Sequence, residues 1–307
     1  MNGPFCLLFA GQSIQVPGMC GELWKFNAAK EILERLKPSL GDDLEFITTE
    51  MPSQDLDRTF NAQRAIHAHH LGHWFAYKAM HPDIDLSGAI GHSLGVVAAL
   101  VAAGAMSVED SGVFVRARAQ AFSDACRSFP EPQGLAAVIA EDISAFEEKI
   151  NAFPGVSWAL HNTRSRGTIG GRVADLEAFA AHAKKEGWPL KVLSLRAEGP
   201  FHTPGFSSCK SVLKTALEKI RIQEPQVPVF MGTSGKAEHD PRRIRELLAD
   251  QADHRERYLD AVRSAYDTGR RSFLEVSFQP QLSIWLSDQI LDPALSILAV
   301  RTEDLRA

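Results

Sequence analysis

The chain has 307 residues, of which 45% are hydrophobic and 23% are charged, and its formal net charge at pH 7 is −5. This is the composition of an ordinary soluble globular protein, long enough for one large domain with an insertion or for two domains. An acidic balance without a basic tail argues against a nucleic-acid-binding protein. No apolar run reaches the ~18 residues that a membrane span needs.

The N-terminal segment and the cysteines predict a cytoplasmic protein. The opening "MNGPFCLLFAGQ" has no basic residue before its short apolar run, so we expect no signal peptide. The cysteines are widely scattered and form no C-x-x-C pair, which argues against a zinc site and against a disulfide framework. We expect reduced, mostly buried thiols, no metal and no bound cofactor; the four cysteines are Cys6, Cys20, Cys126 and Cys209.

The first part of the chain alternates buried strands with helices. The run "FCLLFAG" predicts a strand that ends at a loop beginning with Gly11. Residues 54–80 are mostly helical in pattern, and "LSGAI" at 86–90 predicts the next strand. The apolar segment "LGVVAALVAAGAM" then predicts a packed helix ending at Gly104, and Ser107 is a candidate N-cap for the helix after it.

The segment "RSFPEPQG" at 127–134 carries two prolines and a glycine and marks a domain boundary. Beyond it, apolar and helical patterns follow in the order β-α-β-β-α-β, which is the split βαβ pattern of a ferredoxin-like subdomain. We therefore expect an α/β fold in which residues 127–197 are inserted into a large domain made of residues 1–126 and 198–307.

Ser93 is the candidate nucleophile, because it lies in "GHSLG", a G-x-S-x-G match between an apolar strand and an apolar helix. Chance matches to this pattern are common, and the serine still needs a base and an oxyanion hole. His202, in "EGPFHTPGF" after a predicted strand, is the candidate base. His254, later in the chain, lies in "QADHRERY", which is typical of a charged helical surface.

Several segments together resemble the malonyl-CoA:acyl-carrier-protein transacylases and the acyltransferase domains of polyketide synthases. "LLFAGQSIQ" resembles the family's "FPGQGSQ" element, "GHSLG" its serine elbow, "VRARAQAF" its arginine helix and "HNTRSRGTIGG" a stretch of its insertion. "GPFHTP" resembles the histidine loop and "LLADQADHRERYLDAV" the late "QLxxPVxW" helix. The resemblance covers nearly the whole chain. It implies an α/β-hydrolase-like large domain with an inserted ferredoxin-like small subdomain.

The resemblance also implies roles for individual residues. Ser93 would accept the acyl group from coenzyme A as an ester, with His202 as general base. The backbone N–H groups of Gln12 and Leu94 would form the oxyanion hole. The imidazole would be oriented by the main-chain carbonyl of Gln251 rather than by an aspartate. The supporting residues that it implies are Gln63, Phe201 and His92.

Arg118 lies 25 residues after Ser93, at the spacing where the family keeps an arginine. A buried guanidinium can bind the free carboxylate that a malonyl group has and an acetyl group lacks. Arg116 is expected to face elsewhere, on the surface. The resemblance thus implies an [acyl-carrier-protein] S-malonyltransferase with malonyl-CoA, a coenzyme A thioester, as substrate. It would be a monomer that uses a separate holo-acyl carrier protein and contacts neither nucleic acid nor membrane.

Four departures from the family pattern predict a member specific to a polyketide or specialised fatty-acid pathway. They are Ser13 in place of a glycine, Val96 after the serine elbow, Pro200 and the stretch "SFQPQ". Three alternatives stay open: an acyl hydrolase that clears carrier proteins, a transacylase subunit serving a malonate decarboxylase, and a non-catalytic carrier-docking subunit.

The segment "HAHHLGH" places four histidines within two helical turns, two of them at the i,i+4 spacing of a metal site. No acidic residue accompanies them, so we expect solvated or partly buried histidines on an amphipathic helix; they are His67, His69, His70 and His73. The basic segments 241–248 and 269–271 are expected to be solvated, and basic patches are candidate docking surfaces for an acidic carrier protein. Further members of such patches are Arg164, Arg166, Lys184 and Lys185.

Overall fold

The apolar runs of the sequence form the strands of two separate sheets. The structure is a computed structural model, and it describes residues 3–306. The strands are β1 (Phe5–Phe9), β2 (Leu86–Gly91), β3 (Gln133–Ile139), β4 (Val156–His161), β5 (Arg166–Arg172), β6 (Lys191–Ser194), β7 (Val229–Met231), β8 (Lys236–Glu238), β9 (Ser272–Val276) and β10 (Ser296–Val300).

Helices pack against both sheets. The α-helices are α1 (Asn27–Leu40), α2 (Leu44–Thr49), α3 (Ser53–Leu56), α4 (Thr59–Met80), α5 (Gly95–Ala102), α6 (Val108–Ser128), α7 (Glu147–Asn151), α8 (Val173–Lys185), α9 (Ser207–Glu218), α10 (Pro241–Asp250), α11 (Tyr258–Asp267) and α12 (Leu282–Gln289). Short 3-10 helices span Leu23–Lys25, Ile143–Phe146, Pro204–Phe206 and Thr302–Arg306. Helices α5, α11 and α12 pack against the larger sheet, and α7 and α8 pack against the smaller one.

The larger sheet has the strand order β10-β9-β1-β2-β7-β8. Its strands are parallel except β8, which pairs antiparallel with β7 at the edge. Strand β1 is buried along its whole length, as expected for a central strand covered on both faces. The carboxyl ends of β1 and β2 lie side by side, with Phe9 opposite Gly91, so the loops that follow both strands meet at one edge.

The smaller sheet is wholly antiparallel and has the strand order β4-β5-β3-β6. Its strands and helices follow the predicted β-α-β-β-α-β order, and it has its own cluster of buried apolar residues, including Val138, Trp158 and Phe179. The predicted fold class, an α/β-hydrolase-like domain with an inserted ferredoxin-like subdomain, is confirmed. The boundaries at 126/127 and 197/198 stay a prediction, which the separate apolar cluster supports.

The starts of two predicted helices can be compared with the structure, and one of them differs. The helix predicted from residue 54 is divided into α3 and α4, because Arg58 has an extended backbone (φ −63°, ψ 132°) between them. The N-cap prediction is confirmed, since Ser107 Oγ accepts a hydrogen bond from the N–H of Asp110 at 3.0 Å at the start of α6.

The expectation of solvated or partly buried histidines on α4 is wrong. The side chains of His67, His69, His70 and His73 are all 0% exposed. Helix α4 packs against α1, α5, α6 and β9, so buried residues occur around its whole circumference and it has no solvent-facing side along this stretch. A helix that is buried on all sides cannot be recognised from an amphipathic pattern.

The cysteines are free thiols, three buried and Cys126 half-buried. Among residues 3–306, no group of three or more His, Cys, Asp or Glu side chains is placed to hold a metal ion. No helix in this described part of the chain is long and apolar enough to span a membrane.

Candidate active site

Ser93 lies on a sharp turn between β2 and α5, with a positive φ of 51°. The two flanking glycines make that turn possible. A Cβ at Gly91 would overlap the backbone of Val96, and a Cβ at Gly95 would overlap the carbonyl of Phe9 in the neighbouring strand. The turn brings the half-buried Ser93 hydroxyl to the edge of the sheet at the start of a helix, which is the geometry of a nucleophile elbow.

His202 contacts the serine from the loop after β6. Its Nε2 lies 2.7 Å from Ser93 Oγ, and its Nδ1 lies 2.7 Å from the backbone carbonyl of Gln251. A carbonyl can only accept, so Nδ1 carries the proton and Nε2 accepts from the serine hydroxyl. Burial, with a smaller contribution from the charge of Arg118, lowers the pKa of His202 to about 3. The imidazole is therefore neutral and can take a proton.

Arg118 extends from α6 to the same serine and is 2% exposed. Its Nη1 donates to Gln63 Oε1 at 2.6 Å, and its Nη2 lies 3.3 Å from both Ser93 Oγ and Gln251 Oε1. The guanidinium stacks over the ring of Phe122 at 4.3 Å. Burial lowers the pKa of Arg118 to about 10, so it remains a cation at neutral pH. Arg116, by contrast, is exposed, as expected.

Phe201 and His92 also border the site. The ring of Phe201 stacks on Phe122 at 5.5 Å, which places it beside the ring under Arg118. His92 Nε2 lies 2.9 Å from Asn162 Oδ1, a contact between the larger sheet and the insertion. Burial lowers the pKa of His92 to about 4, so it too is neutral.

A cavity of about 510 Å³ lies between the two sheets and is bordered by Ser93, His202, His92 and Phe201. Its lining includes Gln12, Ser93 and His202 from the large domain and residues of β3 and β5 from the insertion. Ser13, Ser93 and His202 are the non-glycine residues with positive φ among residues 3–306, and all three line this cavity. Backbone conformations of this kind cost free energy and cluster at functional sites.

The N–H groups implied for the oxyanion hole lie at the ends of neighbouring strands. Gln12 follows β1, and Leu94 follows Ser93 at the first turn of α5. Across residues 3–306 neither backbone N–H donates to a protein acceptor. Both amides therefore keep their hydrogen-bonding capacity at the edge of the sheet where Ser93 lies.

Glu256 is a charged residue of the site that the sequence analysis missed. It is 0% exposed, its Oε1 accepts from the N–H of Ser93 at 2.6 Å, and its Oε2 accepts from Gln251 Nε2 at 3.3 Å. The interpretation of "QADHRERY" as a charged surface is therefore wrong for Gln251, Glu256 and Tyr258, which are all buried. A signal was present: against the family pattern "QLxxPVxW", Glu256 stands where an apolar valine is expected.

Comparisons with known proteins identify the family and the fold. The family described as "Acyl transferase domain" matches residues 6–295. The malonyl CoA-acyl carrier protein transacylase of Bacillus subtilis is 28% identical over 275 residues, which cover 88% of this chain and 85% of that protein.

Two solved structures are similar in fold over 99% of this chain. The acyl-carrier-protein-S-malonyltransferase of Bartonella henselae superposes with a TM-score of 0.89 at 25% identity, covering 98% of that chain. A malonyl-transacylase solved in complex with its type II PKS acyl-carrier protein superposes with a TM-score of 0.86 at 25% identity, also covering 98% of that chain. With a family match that spans nearly its whole length, the chain belongs to the acyl transferase domain family.

Proposed function

We propose that the protein transfers a malonyl group from coenzyme A to the phosphopantetheine thiol of an acyl carrier protein, through an ester on Ser93. The observation that carries the proposal is the hydroxyl of Ser93, which lies 2.7 Å from a neutral imidazole and 3.3 Å from a buried guanidinium. The first contact supplies a nucleophile and its base, and the second supplies a partner for a carboxylate on the acyl chain.

In the first half of the reaction, Ser93 Oγ attacks the thioester carbonyl while its proton passes to His202 Nε2. The Gln251 carbonyl holds Nδ1–H and keeps the imidazole in the tautomer that can accept this proton. The negative charge that develops on the carbonyl oxygen would be bound by the N–H groups of Gln12 and Leu94. Collapse of the tetrahedral intermediate breaks the C–S bond, and coenzyme A leaves as the thiol with the proton from His202.

The second half repeats these steps with the carrier's thiol as nucleophile. His202 takes the thiol proton, the sulfur attacks the ester on Ser93, and the serine leaves with its proton restored. A free cleft between the two sheets is required for a long phosphopantetheine arm to enter. The cavity of about 510 Å³ that opens at Ser93 supports this route.

The preference for a malonyl group would come from Arg118. Its Nε has no hydrogen-bond partner among residues 3–306, and its Nη2 contacts at 3.3 Å are long, so these N–H groups can turn towards a carboxylate. Gln63 fixes the other end of the fork at 2.6 Å, and Phe122 fixes its plane. A buried cation without a bound carboxylate disfavours acyl chains that are apolar at this position.

The test is intact-protein mass spectrometry after a brief incubation with malonyl-CoA or, separately, acetyl-CoA. We expect a malonyl adduct that is absent from Ser93→Ala and that discharges to a holo-acyl carrier protein. Free malonate without carrier loading would favour the hydrolase alternative, and neither adduct nor turnover would favour a non-catalytic docking subunit. The identity of the carrier protein that accepts the malonyl group would identify the pathway.

A further inference from the structure

Glu256 is a fully buried carboxylate in the site that no step of the proposed mechanism uses. Its backbone is fixed to strand β4 of the insertion: the N–H of Glu256 donates to Ala159 O at 2.9 Å, and its carbonyl accepts from the N–H of His161 at 2.8 Å. Its side chain extends from there to Ser93 of the large domain, where Oε1 accepts the serine's N–H at 2.6 Å. One residue thus connects the insertion to the nucleophile.

The structure makes room for this carboxylate at Gly232. A Cβ on Gly232 would overlap Cγ of Glu256 and would lie 2.6 Å from its Oε1. The N–H of Arg257 donates to the carbonyl of Gly232 at 2.7 Å, which keeps the two segments in contact. An apolar side chain would fill the same space at lower cost, because a carboxylate is expensive to bury. Packing alone therefore does not explain a glutamate here.

The hydrogen bonds of Glu256 suit its ionised form. Both oxygens accept, Oε1 from Ser93 and Oε2 from Gln251 Nε2, and the same Gln251 amide accepts from Arg118 through its Oε1 at 3.3 Å. Gln251 thereby links the buried cation to the buried anion. Burial raises the pKa of Glu256 to about 7, while the Ser93 N–H and the charge of Arg118 act in the opposite direction.

Glu256 also faces the base. Its Oε2 lies 4.0 Å from His202 Nδ1, too far for a hydrogen bond, and that nitrogen already donates to the Gln251 carbonyl at 2.7 Å. Glu256 therefore does not set the tautomer. It can act on the charge: the cation Arg118 opposes protonation of His202, and a carboxylate at 4.0 Å favours it.

We propose that Glu256 is a positioning residue whose carboxylate holds the backbone of Ser93 and offsets the positive charge that His202 gains on taking the serine's proton. The proposal rests on the proposed function only in assigning Ser93 as nucleophile and His202 as base. In that step the proton passes from Oγ to Nε2, the Oγ–acyl bond forms, and Glu256 gains and loses no atom. The charged and titratable groups around His202 are Arg118 on α6, His92 at the end of β2, and Glu256.

The test is the rate at which a fluorophosphonate modifies Ser93, measured against pH. This probe needs the nucleophile and the base but no coenzyme A thioester. Glu256→Gln keeps the size of the side chain and an acceptor oxygen for the Ser93 N–H, and it removes the charge. We expect the wild-type rate to rise with pH as Glu256 loses its proton near pH 7. We expect the variant to react about tenfold more slowly at pH 8 and to lose that rise.

Glu275→Gln is the matched control. Glu275 is also 0% exposed, but its carboxylate accepts the N–H groups of Gln281, Leu282 and Ser283 at the start of α12. This variant should keep the pH-dependent rise, because it loses a buried carboxylate that does not face His202. If Glu256→Gln fails to fold, Gly232→Ala displaces the Glu256 carboxylate without removing it and is expected to change the pH profile in the same direction.

A folded Glu256→Gln variant with the wild-type rate would overturn the proposal. So would a slower variant with an unchanged pH profile, since that result indicates a packing role only. Failure of the proposed function looks different: wild-type protein would react normally with the fluorophosphonate but would form no malonyl adduct.

Discussion

Two serine–histidine pairs in this protein have nearly the same separation and opposite chemistry. Ser93 Oγ lies 2.7 Å from His202 Nε2, and Ser111 Oγ lies 2.8 Å from His67 Nε2. Both imidazoles are neutral, because burial lowers the pKa of each to about 3. Distance and histidine pKa alone therefore do not distinguish a nucleophile from a structural contact.

The direction of the hydroxyl proton does distinguish them. Ser111 donates its own proton to the carbonyl of Val108 at 2.7 Å, so His67 Nε2 must be the donor in that pair. His67 Nδ1 has no partner among residues 3–306, and the pair is closed off from solvent. At the other pair, the Gln251 carbonyl holds Nδ1–H, and Ser93 faces a cavity. A histidine acts as a base for a serine when an acceptor binds its Nδ1–H and when the serine is open to a substrate.

Replacing the two histidines is the largest expected contrast. His202→Ala should lower the rate of fluorophosphonate modification of Ser93 by about 10³-fold, since the serine loses its general base. His67→Gln keeps a donor for Ser111 and should leave that rate unchanged. Peptide mapping by mass spectrometry should find the probe on Ser93 and not on Ser111. Labelling of Ser111, or full reactivity in His202→Ala, would remove the distinction between the pairs.

A second contrast concerns the cation that accompanies only one of the pairs. Arg118→Ala should lower the rate of malonyl loading by about 100-fold, because charge-assisted hydrogen bonds to the carboxylate are lost. Acetyl loading should change little, so the ratio of the two rates measures the effect. Arg116→Ala is the control on the same helix, exposed and outside the site. An unchanged malonyl-to-acetyl ratio in Arg118→Ala would contradict the specificity assigned to this arginine.

The sequence predicted the parts of the site that depend on local geometry. Ser93 needs a tight turn, and the turn needs glycines at 91 and 95, so the pattern is visible in five residues. The segment of His202 and the helix of Arg118 could be found through the resemblance.

Glu256 and the histidines of α4 depend on contacts between distant segments. Ser93 lies 163 positions from Glu256, and His69 contacts Thr302 across 233 positions. Whether a charged loop or a histidine-rich helix is buried is decided by what packs on every side of it. For the histidines of α4, no pattern within the segment contains that information. For Glu256, the available signal was a departure from the family pattern, and the pattern alone does not say that the carboxylate is buried.

The smallest expected effect concerns the contribution that the structural pair, His67 and Ser111, makes to stability. His67 has a pKa of about 3 in the folded protein, against about 6.5 for an exposed histidine, so the folded state favours the neutral form. Its stabilising contribution is complete above pH 6.5 and is lost progressively as the pH falls towards 3. Between pH 7 and pH 5 this amounts to ~2 kcal/mol in the free energy of unfolding.

His67→Gln does not titrate, so its urea-unfolding free energy should fall by ~2 kcal/mol less than that of the wild type over the same interval. His239→Gln, at an exposed position, should behave like the wild type. If His67→Gln shows the full wild-type loss, the acid sensitivity of the fold lies with the other buried histidines. The Ser111 pair would then contribute nothing to the pH dependence of stability.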